Sequence, residues 1–398
     1  MDGGFGRGDR PRSPDGKAGS RTLKISIGRS KGSSLPILST LLLCVVSSNP
    51  GISFAQAPAV MNSVGTRSAA SCAAPTEVSA TNRIAWQLPT ENDGLFRDQK
   101  SRFFQPTISR RPVSGMFGFV RTSEPEPPRL FEHFHKGIDI RALHRDERGE
   151  PTDLVRASAD GEVVRVNLDE KISDYGKQVI VRHLWAQQPV YTIYGHLSSI
   201  GVQLGQKVKA GDPLGVMGWT GPGLSRDRAH LHFEIAFQIN GKFAEWVEAT
   251  KPGRLWEPNR HGEWNGLNLM GVDPVPLLEA SHQGEPMSLQ ECLHSQPGGF
   301  VVEMPAPEGR AEWMLRAEAV ENCTGNDTWH VEMTPWALPL KIRGTPGKTG
   351  ETKLISVPGR PNEGKYYCRG LVEADGKGGM RLSKFGRQTM EMMVFTAE

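Results

Sequence analysis

Short β-branched runs separated by glycine-containing turns constrain the fold of this chain more than any other feature. From about residue 106 they read LVRASADGEVVRVN, GKQVIVRHLW, VYTIYGHL, VQLGQKVKAGDPLGVMG and AHLHFEIAFQINGKFAEW. Most runs are bounded by Gly, Asp or Asn, which is the pattern of antiparallel strands joined by hairpins. No amphipathic helix of about twelve residues or more interrupts them. We therefore predict an all-β fold, with an antiparallel sheet over residues 106–280.

A second block of strand-like runs begins after about residue 281. Its candidate strands are FVVEM, EWMLRAEAV, TWHVEM, LPLKIR, TKLISV, KYYCRGLVEA and MEMMVF. This block contains no motif that indicates chemistry. We predict that residues 281–398 form a smaller β-rich C-terminal domain, a sandwich with Cys323 and Cys368 as the preferred internal disulfide.

The first 57 residues have the features of a secretory signal. A basic stretch precedes the twelve-residue apolar segment Leu35–Val46, and Ala55 and Ala57 form a small-x-small cleavage pattern. As a helix, the apolar segment would reach only about 18 Å, whereas a bilayer core is about 30 Å thick. We therefore expect an exported protein, periplasmic or extracellular, with no stable membrane anchor. Lipidation at Cys44 and a core helix at Leu35–Val46 are the less favoured alternatives.

Composition narrows the remaining possibilities. Residues 58–95 are rich in Ala, Ser, Thr and Asn, so we expect residues 58–105 to be a low-order extension. The net charge of +3 on 398 residues is too small a bias to indicate nucleic-acid binding, and we predict no nucleic-acid partner. The hydrophobic content of 37% is sufficient for a packed core.

Two histidine motifs indicate a metal site. In HKGID, His135 and Asp139 stand four residues apart around Gly137, and a tight turn there would bring an imidazole and a carboxylate together. This spacing alone is weak evidence. In AHLHFEI, His230 and His232 point to the same face of a strand. Burying either imidazole without a partner would cost about 1–3 kcal/mol, which favours metal binding or catalysis over packing.

A third element, TIYGHLS, would place Tyr194 and His196 on one strand face by the same period of two. A zinc ion with three protein ligands keeps a fourth position for water, and a neighbouring imidazole serves as base and then acid. There is no HExxH motif, which excludes the helix-borne zinc protease mechanism. Spacing leaves open which of His230 and His232 is a ligand. Glu234 lies on the face of His232 and would orient it.

Taken together, FHKGIDI, SADGEVVRV, YGKQVIVRH, YTIYGHLS, GQKVKAGDPLGVMGWTG and HLHFEI resemble the lysostaphin-type (LytM-like) zinc endopeptidases of bacterial cell walls. The resemblance covers roughly residues 110–240, and PVSGMFGFVR also resembles the family's segment before the first motif. It implies that His135, Asp139 and His232 bind Zn²⁺. It further implies that His196 and His230 assist catalysis.

The predicted function is zinc-dependent hydrolysis of peptide bonds in the stem or cross-bridge peptides of peptidoglycan, bound in a groove on the sheet domain. One alternative is a non-catalytic scaffold that binds zinc or peptidoglycan, or regulates another hydrolase. Another is a secreted peptidase with the same mechanism that acts on protein substrates. All five expected positions are occupied, which favours catalysis.

Overall fold

The structure, a computed structural model, describes residues 83–107, 110–119, 134–253, 258–306, 312–321, 328–347, 350–357 and 370–396. The predicted secretory signal and the Cys323–Cys368 pair lie outside these ranges. None of the helices within them has the length and apolar content needed to cross a bilayer.

Strands supply most of the regular structure. In chain order they are β1 (Ile138–Arg141), β2 (Leu154–Arg156), β3 (Gly161–Asn167), β4 (Gln178–Trp185), β5 (Gln188–Gly195), β6 (Ser199–Ile200), β7 (Lys207–Val208), β8 (Pro213–Val216), β9 (His230–Gln238), β10 (Leu269–Val272), β11 (Phe300–Pro305), β12 (Glu318–Glu321), β13 (Thr328–Met333), β14 (Pro339–Thr345), β15 (Lys353–Ser356), β16 (Val372–Ala374) and β17 (Met380–Leu382).

Helices are few and short. The α-helices are α1 (Lys100–Phe103), α2 (Phe243–Thr250), α3 (Pro274–His282), α4 (Leu289–His294) and α5 (Lys384–Val394), and single 3₁₀ turns occur at Pro112–Gly115, Arg226–Arg228, Gly262–Trp264 and Glu312–Leu315. The predicted all-β class with antiparallel sheets is therefore confirmed.

The main sheet has the order β1-β9-β5-β4-β3-β7, and its pairs are antiparallel. Strand β9 is paired on both sides, with β5 along one side and with β1 and β10 in succession along the other. A small sheet of order β2-β8-β6 accompanies it. Every residue of β9 is buried. A side chain on this strand therefore faces packed protein on either side of the sheet.

Alternation along β9 separates core from site. Leu231, Phe233, Ile235 and Phe237 belong to the main hydrophobic core, where burial of each large side chain contributes roughly 1.5–3 kcal/mol. The residues between them, beginning with His230, point to the opposite face. Burial of the apolar side chains thus determines which face of β9 meets the core, and the histidines point to the opposite face.

Part of the predicted low-order extension is well packed. Trp86, Leu95, Phe103 and Phe104 are buried, and Phe104 forms a bridge with Ile140 of β1. These large apolar side chains gain more from burial than the ordering of this short segment costs. Residues 83–105 therefore contribute to the core of the sheet domain.

The C-terminal region holds a five-stranded sheet of order β12-β14-β13-β11-β15 and the hairpin β16-β17. The strand prediction for MEMMVF is wrong, because these residues lie mostly in α5. Ser383 caps that helix with its Oγ accepting from the Gly386 amide at 2.9 Å. Met390 and Met393 are buried at a spacing of three, and unbranched methionine is a good helix former.

Two other runs are shorter as strands than expected. EWMLRAEAV begins as the 3₁₀ turn Glu312–Leu315 and becomes strand β12 at Glu318. At the end of the AHLHFEIAFQINGKFAEW run, residues from Phe243 onward form α2. Both runs contain helix-forming Glu and Ala, and Met or Trp on the buried side suits a helix as well as a strand.

Hydrogen bonds join the C-terminal region to the sheet domain after β9. The Asn240 side-chain amide donates to the carbonyls of Met392 and Phe395 at 2.5 and 2.9 Å. A buried Arg316 donates from Nη2 to the Gln238 carbonyl at 2.6 Å. One hydrophobic cluster contains core residues from both regions. The two β blocks therefore share buried surface.

Candidate active site

The three predicted metal ligands meet where β1 pairs with the N-terminal half of β9. The register pairs Asp139 with His232, and His135 lies just before β1. The His135 Nε2 to Asp139 Oδ1 distance is 3.0 Å, the His232 Nδ1 to Asp139 Oδ1 distance is 3.0 Å, and the two imidazole nitrogens are 3.2 Å apart. All three side chains are buried.

Partners on the far side of each ring set its tautomer. The His135 Nδ1–H donates to the Met116 carbonyl at 2.8 Å, which leaves the Nε2 lone pair facing Asp139. His232 is reversed, because its Nε2–H donates to Glu234 Oε1 at 2.8 Å and leaves the Nδ1 lone pair on the inner side. Two imidazole lone pairs and a carboxylate oxygen therefore point at one another.

This convergence fits a divalent cation. Three acceptor atoms in contact repel one another in a buried site unless a positive charge lies between them. Two imidazole nitrogens and a carboxylate oxygen form a donor set that zinc accepts, and the three ligand atoms lie within 4.8 Å of one another. A proton on His232 would also reduce this repulsion. Burial disfavours the charged form of His232, but hydrogen bonds with Asp139 and Glu234 raise the pKa of its imidazole.

The two other predicted histidines lie beside this group. The His196 ring centroid is 4.7 Å from that of His230 and 5.9 Å from that of His232. Backbone carbonyls accept from Nδ1 of both, Thr220 at 2.8 Å for His196 and Arg228 at 2.7 Å for His230. Each ring thus keeps Nε2 for other contacts, and His230 Nε2 lies 3.4 Å from Asp139 Oδ1.

The environment of His196 favours its neutral form. Burial lowers its pKa well below the usual value, and the neighbouring His230 and His232 act in the same direction. A neutral imidazole with a free Nε2 lone pair is able to accept a proton. The structure therefore brings all five predicted residues together.

One step of the sequence reasoning fails at His196. Strand β5 ends at Gly195, and His196 has a φ of 62°, so the period of two does not extend to it. Tyr194 instead packs in the core against Phe233, with its hydroxyl accepting from the Ser158 amide at 2.8 Å. The left-handed turn, which is rare for a residue other than glycine, is what aims His196 at the site.

A second layer of residues surrounds Glu234, which is fully buried. The Tyr175 hydroxyl donates to Glu234 Oε1 at 2.7 Å, and the Tyr175 ring lies edge-on to His232 at 5.2 Å. Burial disfavours the charged carboxylate, but the ammonium of Lys136 and the hydrogen bonds from His232 and Tyr175 outweigh it and lower the pKa of Glu234 to about 2. The orientation of His232 thus depends on a charged carboxylate.

Sequence reasoning assigned no role to Tyr175 or Lys136. Lys136 stands next to His135 in HKGID and Tyr175 begins YGKQVIVRH, so both lie in the quoted motifs. Lys136 Nζ donates to the Gly266 carbonyl at 2.7 Å, and it lies 5.6 Å from the Tyr175 ring centroid. Adjacency to motif residues was the available signal. The hydrogen bond of Tyr175 to Glu234 and the electrostatic effect of Lys136 on it arise only in the folded sheet.

Comparison with known proteins agrees with this architecture. The model of peptidase family M23 matches residues 133–244, which include all five residues. The cell division protein DipM of Caulobacter vibrioides is 37% identical over 151 residues, covering 37% of this chain and 20% of DipM. The murein hydrolase activator NlpD of Escherichia coli is 33% identical over 104 residues, covering 26% of this chain and 23% of NlpD. The chain thus spans about a quarter or less of the length of these relatives.

Solved structures give related matches. The catalytic domain of the antimicrobial peptidase lysostaphin from Staphylococcus simulans is 20% identical, with a TM-score of 0.27 over 41% of this chain and 90% of that chain. A zinc-containing peptidase from Vibrio cholerae is 25% identical, with a TM-score of 0.22 over 30% of this chain and 32% of that chain. From the motifs, the fold and the family match, residues 133–244 of this chain are a peptidase M23 domain of the lysostaphin (LytM) type.

Proposed function

We propose that this protein is a zinc-dependent endopeptidase that hydrolyses peptide bonds in the stem or cross-bridge peptides of peptidoglycan. The observation that carries the proposal is the convergence of His135 Nε2, Asp139 Oδ1 and His232 Nδ1 beside two further imidazoles. His135, Asp139 and His232 would hold Zn²⁺. When bound there, zinc supplies a Lewis acid that polarises the scissile carbonyl and lowers the pKa of a water molecule.

The remaining residues handle protons. His196 is neutral and buried, so its Nε2 takes the proton from the attacking water and returns it to the leaving amine nitrogen. Because the Nδ1–H of His230 is held by the Arg228 carbonyl, the ring would act in its imidazolium form and donate from Nε2 to the oxygen that becomes negative as the carbonyl carbon turns tetrahedral. The carbonyls of Thr220 and Arg228 keep both rings in the required orientation. Glu234 and Met116 do the same for the two histidine ligands.

The experiment measures zinc content and the release of soluble muropeptides from purified sacculi. Asp139→Ala is expected to lose both metal and activity, because it removes one ligand and leaves the two imidazoles facing each other. His196→Ala is expected to keep zinc and lose at least about a hundredfold in rate, the usual contribution of general acid–base catalysis. His294→Ala is the matched control, since this histidine is exposed on α4 and should change neither quantity. Unchanged turnover in both site variants would refute the proposal.

A second function, as an activator of another hydrolase, is favoured by one observation, the similarity to proteins named as murein hydrolase activators. That candidate predicts a wild-type protein that binds zinc and sacculi but releases no muropeptide. It also predicts that His196→Ala retains full activating function. Casein in place of sacculi distinguishes a peptidase that acts on protein, the third candidate, from one that acts on the wall.

We further propose that the chain acts in the cell envelope after export, either in the periplasm or outside the cell. The support is the basic and apolar pattern of residues 1–57. N-terminal sequencing of the protein recovered from the envelope fraction tests it. A mature N-terminus close to residue 58 is expected, and an intact Met1 in the cytoplasmic fraction would contradict it.

A further inference from the structure

An aromatic cluster connects the C-terminal region to the segment that carries His135. The Trp336 indole stacks on Phe134 with ring centroids 5.5 Å apart and an interplanar angle of 26°. Phe117 meets Trp336 edge-on at 5.2 Å and Phe134 edge-on at 5.5 Å. Each ring therefore contacts both of the others, and such pairs prefer these stacked or edge-to-face arrangements.

The two phenylalanines flank both ends of one hydrogen bond in the metal site. Phe134 immediately precedes His135, and Phe117 immediately follows Met116, whose carbonyl accepts from His135 Nδ1 at 2.8 Å. Backbone hydrogen bonds join the same two segments, from the Gly118 amide to the His135 carbonyl and from the His135 amide to residue 119. The segment with the ligand and the segment with its partner are thus one unit.

Trp336 is itself fixed from two sides. Its Nε1–H donates to the carbonyl of Gly271 on β10 at 2.8 Å, and the side chain is only 5% exposed. A Cβ atom on Gly271 would lie 2.5 Å from the Lys136 carbonyl oxygen and 3.2 Å from Phe117 Cε2. Glycine is therefore required where the sheet, the His135 segment and the indole meet.

The turn between β13 and β14 holds the indole in place from the C-terminal side. The Thr334 amide donates to the Leu338 carbonyl at 2.9 Å, and Thr334 Oγ1 accepts from the Leu338 amide at 3.0 Å. Ala337 adopts a φ of 71°, and Thr334 is fully buried. A closed and buried turn of this kind leaves Trp336 little freedom to move.

We propose that Trp336 is a positioning residue for the metal site, by which the C-terminal region holds His135 in the geometry required to bind zinc. The inference rests on the proposed function in that zinc is the ion bound. Loss of the indole would remove the stacking surface of Phe134 and the edge contact of Phe117. The segments that carry the donor His135 and the acceptor Met116 would then lose their shared contact with the indole, and the hydrogen bond between them would be less well fixed. Mutation of a residue that orients a metal-ligating histidine commonly lowers metal affinity by about 10- to 100-fold.

The test compares variants of the full chain. Zinc affinity is measured by competition with a chromogenic chelator, and bound Co²⁺ provides a visible absorption spectrum that reports ligand geometry. Trp336→Leu is expected to weaken zinc binding by about tenfold and to alter the Co²⁺ spectrum. Trp336→Phe, which keeps an aromatic surface, is expected to recover most of the affinity. Trp329→Leu is the control, a buried tryptophan of the same sheet that packs against Trp313.

The control separates positioning from general stability. Trp329→Leu should lower the melting temperature as Trp336→Leu does, yet leave zinc affinity and the Co²⁺ spectrum unchanged. Wild-type affinity and spectrum in folded Trp336→Leu would overturn the inference, as would equal weakening by Trp329→Leu. A wild-type chain that binds no zinc would instead refute the proposed function itself. If Trp336→Leu does not fold, Trp336→Phe alone provides the test. The inference predicts that Trp336→Phe keeps most of the zinc affinity, so a loss of about tenfold in that variant would overturn it.

Discussion

At the scale of single residues, the site is defined by which nitrogen of each histidine faces inward. His135 presents Nε2 because a backbone carbonyl holds Nδ1–H, whereas His232 presents Nδ1 because Glu234 holds Nε2–H. The Glu234 carboxylate is charged, fully buried and in contact with Tyr175. A charged acceptor makes the His232 nitrogen on the metal side a better ligand. Metal affinity should therefore respond to the charge of Glu234 as well as to its shape.

We predict that Glu234→Gln weakens zinc binding by about 10- to 100-fold, because the amide oxygen keeps the acceptor position but not its negative charge. Chelator competition with the purified protein measures the change. Glu245→Gln, which removes an exposed carboxylate of α2, serves as the control and should leave affinity unaltered. Equal zinc affinity in Glu234→Gln and wild type would show that the charge has no role in binding.

At the scale of elements, His183 illustrates a histidine that joins strands rather than performing chemistry. Its Nδ1–H donates from β4 to the Asp160 carbonyl before β3 at 2.7 Å, and its Nε2 accepts from Thr192 Oγ1 on β5 at 2.8 Å. Trp86 packs edge-on against the ring at 5.3 Å. Both nitrogens therefore have hydrogen-bond partners in the neutral form. Burial lowers the pKa of His183 to about 4, although the nearby Asp160 opposes this.

This depressed pKa makes the fold sensitive to acid. In the unfolded chain the His183 imidazole takes up its proton near pH 6.5, whereas in the folded chain it stays neutral down to about pH 4. The contribution of neutral His183 to the free energy of unfolding is therefore complete above pH 6.5 and is lost as the pH falls to about 4. The difference corresponds to about 3 kcal/mol of unfolding free energy. We expect His183→Gln to remove this component, so that its urea stability falls less than that of wild type between about pH 7 and pH 4. If the urea stability of the two proteins changed equally with pH, this contribution of His183 would be contradicted.

At the scale of the whole molecule, the sheet domain and the C-terminal region are coupled where β9 ends. Asn240 there donates to two carbonyls of the α5 end, and Trp313 Nε1 donates to the Met393 carbonyl at 3.1 Å. Unpaired carbonyls in such a buried junction cost free energy that cannot be recovered from water. Unfolding of one region should therefore promote unfolding of the other.

We predict that Asn240→Ala lowers the free energy of unfolding of the chain by about 1–3 kcal/mol, as expected when buried acceptors lose their donor. Tryptophan fluorescence and far-UV circular dichroism should report one coincident urea transition in both proteins. Gln203→Ala, an exposed substitution in the sheet domain, should leave the midpoint in place. Two separate transitions, with only the later or the earlier one shifted, would mean that residues 106–280 and 281–398 unfold independently.

The sequence by itself determined the strands of the sheet domain and the direction of the polar side chains on β9, because a period of two is a local property of an extended chain. The same local patterns misassigned MEMMVF, where buried methionines at a spacing of three satisfy a helix, and placed His196 on a strand that ends before it. Motif resemblance, rather than spacing, distinguished His232 from His230.

Only the tertiary structure decided which atoms meet. The Met116 carbonyl, the Glu234–Tyr175 pair and the Trp336 indole come to the site from segments far apart in the chain. Their contacts depend on strand register and on the packing of the C-terminal region against β10, both of which arise from long-range burial of apolar surface. Local sequence patterns carry no record of such distant pairings, and for that reason the supporting residues emerged only from the fold.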